Sequence, residues 1–174
     1  MMRRPRICPD DIFDQRVSFR PCDMNHVPDD LTGFDFTWSA CALEHLGSIE
    51  KGLAFIERSL DCLKPGGMAV HTTEFNLYSN DDTIDNTSTV LFRRRDFEAL
   101  AERVAKAGHE MIMLDFNTGS GRLDHYIDTP PYLEQPHLKV ALAGYATTSF
   151  GVIIRRGPDK APPAKSRRKK QALR

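Results

Sequence analysis

Three polar side chains stand just past predicted strands, where a parallel sheet binds its ligands. Asp23, Ser39 and Glu74 each come at or directly after a short apolar run. In sheets with crossover helices, ligands lie outside the carboxyl ends of the strands. The spacing therefore predicts that these three side chains share one rim of the sheet. The plainer alternative for each is a solvated strand end or a turn-capping role.

The pair with the clearest chemical use is Glu44-His45, which follows the second predicted strand. An imidazole ordinarily titrates at about 6.5, which suits removal of a proton from a hydroxyl or an amine. His45 is therefore the candidate general base. The alternative is a structural histidine at the start of a helix, packed beneath the sheet.

Metal binding is not predicted from the spacing of the remaining ligand-type residues. His26, His71, Glu74 and His125 are too scattered along the chain to match a tight ligand set. The sequence therefore favours structural roles for these four residues over a metal site.

The cysteines and the apolar pattern indicate the cellular compartment. The four cysteines form no C-x-x-C pair, and the basic start of the chain is not followed by an apolar segment. No stretch approaches the roughly 18 apolar residues that span a bilayer. The expectation is reduced thiols in a cytoplasmic protein with no membrane partner.

The elements that must position these residues alternate between strands and helices. The clearest is a helix that begins after Ser48, a good N-cap, and stops at Lys64-Pro65-Gly66-Gly67. Strands are predicted at 17–20, 34–39, 68–73, 110–116 and 148–154, with a second helix at 96–107. This alternation predicts an α/β fold whose sheet is mostly parallel, with helices on its faces.

Three regions follow from composition. Residues 1–16 are predicted to be irregular, 17–157 to form one domain, and 158–174 to be a disordered basic tail. The 24 basic and 24 acidic residues cancel overall, but seven of the basic residues lie in 159–174. The remaining body is acidic, which is not typical of a nucleic-acid-binding domain. Nucleic acid is therefore not expected as a partner of the body, although such a tail could meet nucleic acid or an acidic membrane.

The order of these elements resembles the C-terminal two-thirds of a class I S-adenosylmethionine-dependent methyltransferase. The run 34–39 followed by Leu43-Glu44-His45-Leu46 is similar to the family's fourth strand and the turn after it. The segment Leu63-Lys64-Pro65-Gly66-Gly67 is similar to the "LKPGG" turn before its fifth strand, and Ala107-Gly108-His109 to a later turn. The resemblance implies an incomplete Rossmann-like sheet over about 17–115, with an antiparallel last strand near 148–155.

The resemblance also implies roles for particular residues. Asp23 matches the acid that receives the adenine amino group, and Met24 and Ser39 would border the cofactor. Glu74 would touch the methyl acceptor. Tyr126, in the long loop at 117–137, would form part of an acceptor lid, although a disordered connection is an equal alternative.

The sequence departs from the family at its front. The family's glycine-rich turn and its ribose-binding acid have no counterpart here, because the chain starts about where the third strand should be. Together they supply about three hydrogen bonds, each worth roughly 1–3 kcal/mol when buried. S-adenosylmethionine is therefore expected to bind weakly or not at all to this chain alone.

Three functions remain open from the sequence, of which the third is nucleic-acid binding through the basic tail. The first is methyl transfer to an unidentified acceptor. The second is a truncated, non-catalytic relic or partner subunit that binds through an open sheet edge. The second arises because the family's first strand, absent here, pairs with the strand at 34–39, so that this strand would keep an unpaired edge. Either the strand at 17–20 or another chain, including a second copy, would then cover it.

Overall fold

One five-stranded sheet carries three helices in the computed structural model, which describes residues 3–135 and 137–159. The strands are β1 (Phe34–Ala40), β2 (Leu63–Asn76), β3 (Glu110–Met111), β4 (Val140–Leu142) and β5 (Tyr145–Arg155). The helices are α1 (Asp10–Arg16), α2 (Ile49–Asp61) and α3 (Arg94–Ala107). The spatial order of the strands is β1-β2-β5-β3, with β4 paired to β5. None of the helices in the described ranges is long and apolar enough to cross a membrane.

The predicted helix after Ser48 is confirmed as α2. Ser48 accepts a hydrogen bond from the Lys51 amide at 3.2 Å, which satisfies one of the free donors of the first turn. The apolar residues of α2 fall on one buried stripe that packs on β2: Ile49, Leu53, Ile56 and Leu60. The chain then reverses directly into β2, where Gly66 has a φ of +82° that favours glycine.

The sheet is mixed, so the prediction of a mostly parallel sheet is corrected. β1 and β2 are parallel, whereas β2, β3 and β4 all pair with β5 antiparallel. The last strand is antiparallel, as predicted. The hairpin of β4 and β5 has no predicted counterpart, because its first strand, Val140–Leu142, is only three residues long. β3 is shorter than predicted, since only two residues of the predicted strand at 110–116 form a ladder.

Both large helices lie on one face of the sheet, which corrects the prediction of helices on both faces. Ala69, His71 and Thr73 are buried on that face of β2, opposite Ile154, Val152 and Phe150 of β5. α2 packs against β2, and Phe97 of α3 stacks on Phe150 at 4.7 Å between ring centroids. The alternating residues on the other face, such as Phe36, Trp38 and Ile153, have no helix over them in the described residues and are exposed.

The N-terminal prediction is wrong in two places. Residues 17–20 form no strand, although the outer edge of β1 is unpaired among the described residues. Part of the segment predicted to be irregular forms α1, which begins with Asp10 and Asp11 where the helix dipole favours acids. The basic tail lies outside the described residues from position 160 onward.

Candidate functional site

An apolar cavity of about 400 Å³ lies beside β1. Its wall is formed by the segment that precedes β1, by β1 itself, by α2 and by one residue of β2, and it includes Met24, Leu31, Trp38, Ser39, Phe55 and His71. A volume of this size is within the usual range for a small-molecule site, about 300–1,000 Å³. The cavity is open along β1 because, among the described residues, no strand pairs with that edge.

The most structured part of the cavity wall is His71, which is 1% exposed. Its Nδ1 lies 2.8 Å from Ser39 Oγ, and its Nε2 lies 3.1 Å from Ser59 Oγ. Ser59 Oγ donates its proton to Ile56 O at 2.7 Å, so it must accept from His71 Nε2–H. The lone pair of Nδ1 then accepts the Ser39 hydroxyl proton.

Burial keeps this histidine neutral. Desolvation lowers the pKa of His71 from its ordinary 6.5 to about 4. The neutral ring holds Ser39 in a fixed orientation at the cavity. Sequence reasoning assigned His71 no role in the site, although strand alternation with the small apolar Ala69 signals a buried position facing α2.

Thr37 adds an unusual polar atom beside this network. Its Oγ1 is buried and has no hydrogen-bond partner among the described residues, although Thr37 lines the cavity. A buried hydroxyl without a partner costs about 1–3 kcal/mol. The Thr37 hydroxyl is therefore a destabilising polar group in the wall of the cavity.

Two of the three predicted cofactor residues meet at this cavity, and the third flanks it. Met24 and Ser39 line the cavity. Asp23 itself is not in the lining, but both of its chain neighbours, Cys22 and Met24, are. Asp23 is exposed and caps the short 3₁₀ turn Met24–His26, accepting from the Asn25 amide at 2.9 Å and from His26 Nδ1 at 2.8 Å. The hydrogen bond from His26, with that from Asn25, lowers the pKa of Asp23. The carboxylate is thus ionised and placed at the cavity rim.

The predicted residue Glu74 lies in a second polar group at the carboxyl ends of β1 and β2. Ligand-type atoms of Cys41, Glu44 and Glu74 lie within 4.8 Å of one another. Glu44 is buried and accepts from Thr73 Oγ1 at 2.8 Å, while Glu74 accepts from Thr147 Oγ1 at 2.7 Å. Each carboxylate therefore has a partner within the sheet, which accounts for its position structurally.

His45 ends the short turn Leu43–His45 that follows β1 and is exposed. Its Nδ1 lies 2.9 Å from the Ser88 carbonyl oxygen, which can only accept, so Nδ1 carries the proton. In the neutral ring the basic lone pair is then on Nε2. Nε2 is then the atom that can accept a proton, but His45 is not among the residues that line the cavity.

Tyr126 is brought neither to the cavity nor to the polar group of Glu74. It follows the 3₁₀ turn Arg122–His125 and is partly exposed. In the same region, a contact between the buried Asp128 and His137 was not predicted from the sequence. Asp128 is 1% exposed and accepts from His137 Nδ1 at 3.1 Å and from the Leu133 amide at 2.9 Å. His137 lines a separate cavity of about 440 Å³.

The comparisons with known proteins show the fold. The structure resembles that of the [4+2]-cyclase SpnF, with a TM-score of 0.52 and 18% identity over 87% of this chain and 62% of that one. A S-adenosylmethionine-dependent methyltransferase from Clostridium acetobutylicum matches with a TM-score of 0.45 and 10% identity, over 86% of this chain and 70% of that one. A S-adenosylmethionine-dependent methyltransferase from Methanosarcina mazei matches with a TM-score of 0.45 and 11% identity, over 79% and 66%. The sequence matches no family model and no curated protein.

Proposed function

We propose that this chain is a methyltransferase-like protein whose cavity beside β1 holds the adenosyl part of S-adenosylmethionine. The observation that carries the proposal is the meeting of Met24 and Ser39 at one apolar cavity, with the Asp23 carboxylate at its rim. The same three residues are those that the sequence resemblance marks as cofactor residues. The fold shared with SpnF, of which this chain covers 62%, supports the α/β architecture on which the proposal rests.

The cavity suits a flat ring with a polar edge. Trp38 and Phe55 supply aromatic surface, while Ser39 supplies a hydroxyl. An ionised Asp23 accepts a hydrogen bond from an amino group of the kind that adenine carries. S-adenosylmethionine, when bound, supplies the methyl group on a sulfonium sulfur, and the protein aligns the acceptor with it.

The remaining candidate residues take roles in the transfer under this proposal. Ser39, held by His71, borders the transferred methyl group. His45 removes a proton from the acceptor through Nε2, since its Nδ1 is engaged by Ser88. Glu74 contacts the acceptor, whose chemical class the proposal leaves open, and Tyr126, which lies away from the cavity and from Glu74, is given no role.

The affinity is expected to be low. Compared with the family pattern, the sequence lacks about three hydrogen bonds to the cofactor, a loss of roughly 4–8 kcal/mol. This corresponds to a loss of affinity on the order of 10³–10⁶-fold. We expect millimolar binding, with the adenine end supplying most of it.

Trp38 gives a direct test because it lines the cavity and is the single tryptophan of the chain. Millimolar S-adenosylhomocysteine or adenosine is expected to change its emission in a saturable way. Inosine, which lacks the amino group, should bind several-fold more weakly. No change in Trp38 emission or in amide chemical shifts at saturating analogue overturns the proposal, and a micromolar dissociation constant contradicts the expected low affinity.

Asp23→Asn isolates the role of the carboxylate. The amide oxygen still accepts from Asn25, so the turn is kept while the charge is lost. We expect the preference for adenosine over inosine to disappear in this variant. Asp10→Asn, an exposed carboxylate on α1, is the matched control and should leave the preference intact. Equal behaviour of the two variants removes Asp23 from the site.

A further inference from the structure

β1 is an edge strand with an open outer side. It ends the spatial order of the sheet, and nothing in the described part of the chain forms a ladder with its outer side. The Cys41 amide donates a hydrogen bond to the carbonyl oxygen of Thr72 in β2, so this amide points toward β2. Because alternate residues of a strand direct their amides to the same side, Thr37 and Ser39 also face β2. The N–H and C=O groups of Phe36 and Trp38 therefore point outward, available to another strand.

The side chains of this edge are apolar to an unusual degree. Phe34, Phe36 and Trp38 are 44%, 52% and 70% exposed. Natural edge strands are usually protected by charges, proline or a covering element. The single charged residue of β1 is Asp35, and it is neutralised by Lys64 at 2.8 Å. Nothing on the edge itself therefore opposes pairing with a further strand.

The sequence of β1 is complementary to itself when reversed about Thr37. In that register Phe36 stands opposite Trp38 of the second strand, and Asp35 stands opposite Ser39, so no like charges meet. The two outward-facing residues then form two hydrogen-bonded pairs, with four backbone hydrogen bonds in all. Thr37 meets its own copy as a non-hydrogen-bonded pair, with Cα atoms about 4.5 Å apart.

We propose that β1 pairs antiparallel with β1 of a second copy of this chain, about a twofold axis at Thr37. Cross-strand aromatic pairs and Thr–Thr pairs are favourable in antiparallel sheets, and this register makes both. Thr37, whose Oγ1 has no partner within the described residues, gains a neighbouring hydroxyl. The pairing joins the two sheets into one and clusters four aromatic side chains on the face that has no helix.

The second copy also reaches the cavity. Residues opposite one another on paired strands share a face, and Ser39 lies on the face of β1 that carries the helices, where it lines the cavity with His71. Asp35 of the second copy therefore stands beside Ser39 and brings a carboxylate to the edge of the cavity. This inference does not depend on cofactor binding, since the pairing is measured without a ligand.

The expected dimer is weak. Aromatic side chains bury about 150–250 Å² each when covered, so the exposed parts of the three rings amount to roughly 300 Å² per copy. A standard interface buries about 800 Å² per partner. The rings supply less than half of that area, and we therefore expect micromolar rather than nanomolar association.

Sedimentation velocity across a micromolar to submillimolar range tests the proposal on the full chain. A concentration-dependent shift from monomer to dimer is expected, with a parallel blue shift of Trp38 emission. Trp38→Lys should abolish the dimer, because a charge on the edge opposes pairing. Tyr78→Lys is the matched control, since Tyr78 is 73% exposed and lies outside the strand, and it should dimerise like the parent.

Cysteine variants test the register. Thr37→Cys should form a disulfide between copies under mild oxidation, because the expected Cα separation is within the range for a disulfide. The Ser39→Cys variant carries the same native cysteines as Thr37→Cys. In this register, however, the Cα atoms of its two introduced cysteines would be about 13 Å apart, so they should not form a disulfide. A folded monomer at all concentrations overturns the proposal. A dimer that survives Trp38→Lys, or one in which Ser39→Cys links as well as Thr37→Cys, also overturns it.

Discussion

The buried histidine beside the cavity makes stability depend on pH. The pKa of His71 is lowered to about 4 in the folded protein because the ring is desolvated, whereas in the unfolded chain it returns to 6.5. The unfolded state therefore binds the proton first as the pH falls. The stability linked to this group is fully present above pH 6.5 and is lost progressively between 6.5 and about 4.

The magnitude follows from the size of the shift. A pKa shift of this size changes the free energy of unfolding by about 3 kcal/mol between a pH above both pKa values and a pH below both. Between pH 7 and pH 5 the expected loss is about 2 kcal/mol, since the folded protein is still mostly unprotonated at the lower value. Urea unfolding followed by circular dichroism at the two pH values measures this difference directly.

A substitution separates His71 from the other titrating groups. His71→Asn cannot be protonated and keeps a polar atom for Ser39, so it should remove most of the 2 kcal/mol difference, whatever it costs in absolute stability. His125→Asn, which changes an exposed histidine, is the matched control and should keep the parent's pH dependence. If His71→Asn loses as much stability as the parent between pH 7 and 5, the reasoning about the buried neutral ring is wrong.

Two further substitutions probe packing next to the site. Gly52→Ala should destabilise the protein by about 1–2 kcal/mol, because the new Cβ would lie 2.5 Å from Phe92 Cζ and 3.1 Å from Leu43 O. This clash outweighs the gain of about 1 kcal/mol in helix propensity. A melting temperature above that of the parent would contradict the prediction. Thr37→Val should raise the free energy of unfolding in urea by about 1 kcal/mol, because it removes a buried hydroxyl that has no partner among the described residues. A decrease of the same size in the free energy of unfolding refutes this prediction.

The parts of the fold that the sequence predicted well are those set by local signals. Ser48 caps α2, and Gly108 adopts the left-handed conformation that ends α3, with a φ of +93°. Both residues act on the backbone next to them, so their identity is enough. The sheet topology depends on which distant strands pair, and the antiparallel role of β5 left no comparable local mark.

The polar stretch before α3 shows the limit of composition. Val90, Leu91 and Phe92 are fully buried, although they end a segment rich in Asn, Asp, Ser and Thr, a composition typical of loops. Phe92 stacks on Phe97 of α3 at 5.5 Å between ring centroids. The segment contributes little secondary structure, but its last three residues fill the core between α2 and α3. Secondary structure and burial are separate properties, and the polar composition of the segment gives no indication that its last three residues are buried.

The site was predicted only as far as its strand-end residues. Met24 and Ser39 were identified because the resemblance marks them, whereas His71 and Ser59, which hold Ser39, come from the interior of β2 and α2. Supporting residues of this kind are determined by the packing of two elements, which the sequence does not order in space. Asp128 and His137 were missed for the same reason, since a polar loop brings them together.

The cavity, the exposed rings and the open backbone groups have one structural cause, which is that β1 ends the sheet. A ligand in the cavity and a second copy on the edge both contact the same strand, with Ser39 common to both. Two binding events that share a strand are thermodynamically coupled, and the coupling is equal in both directions. If Asp35 of a second copy contributes favourably to the cavity, ligand strengthens the dimer by the factor by which the dimer strengthens ligand binding. If the second strand narrows the cavity, the same reciprocity makes each weaken the other, so the sign of this coupling distinguishes a completed site from an obstructed one.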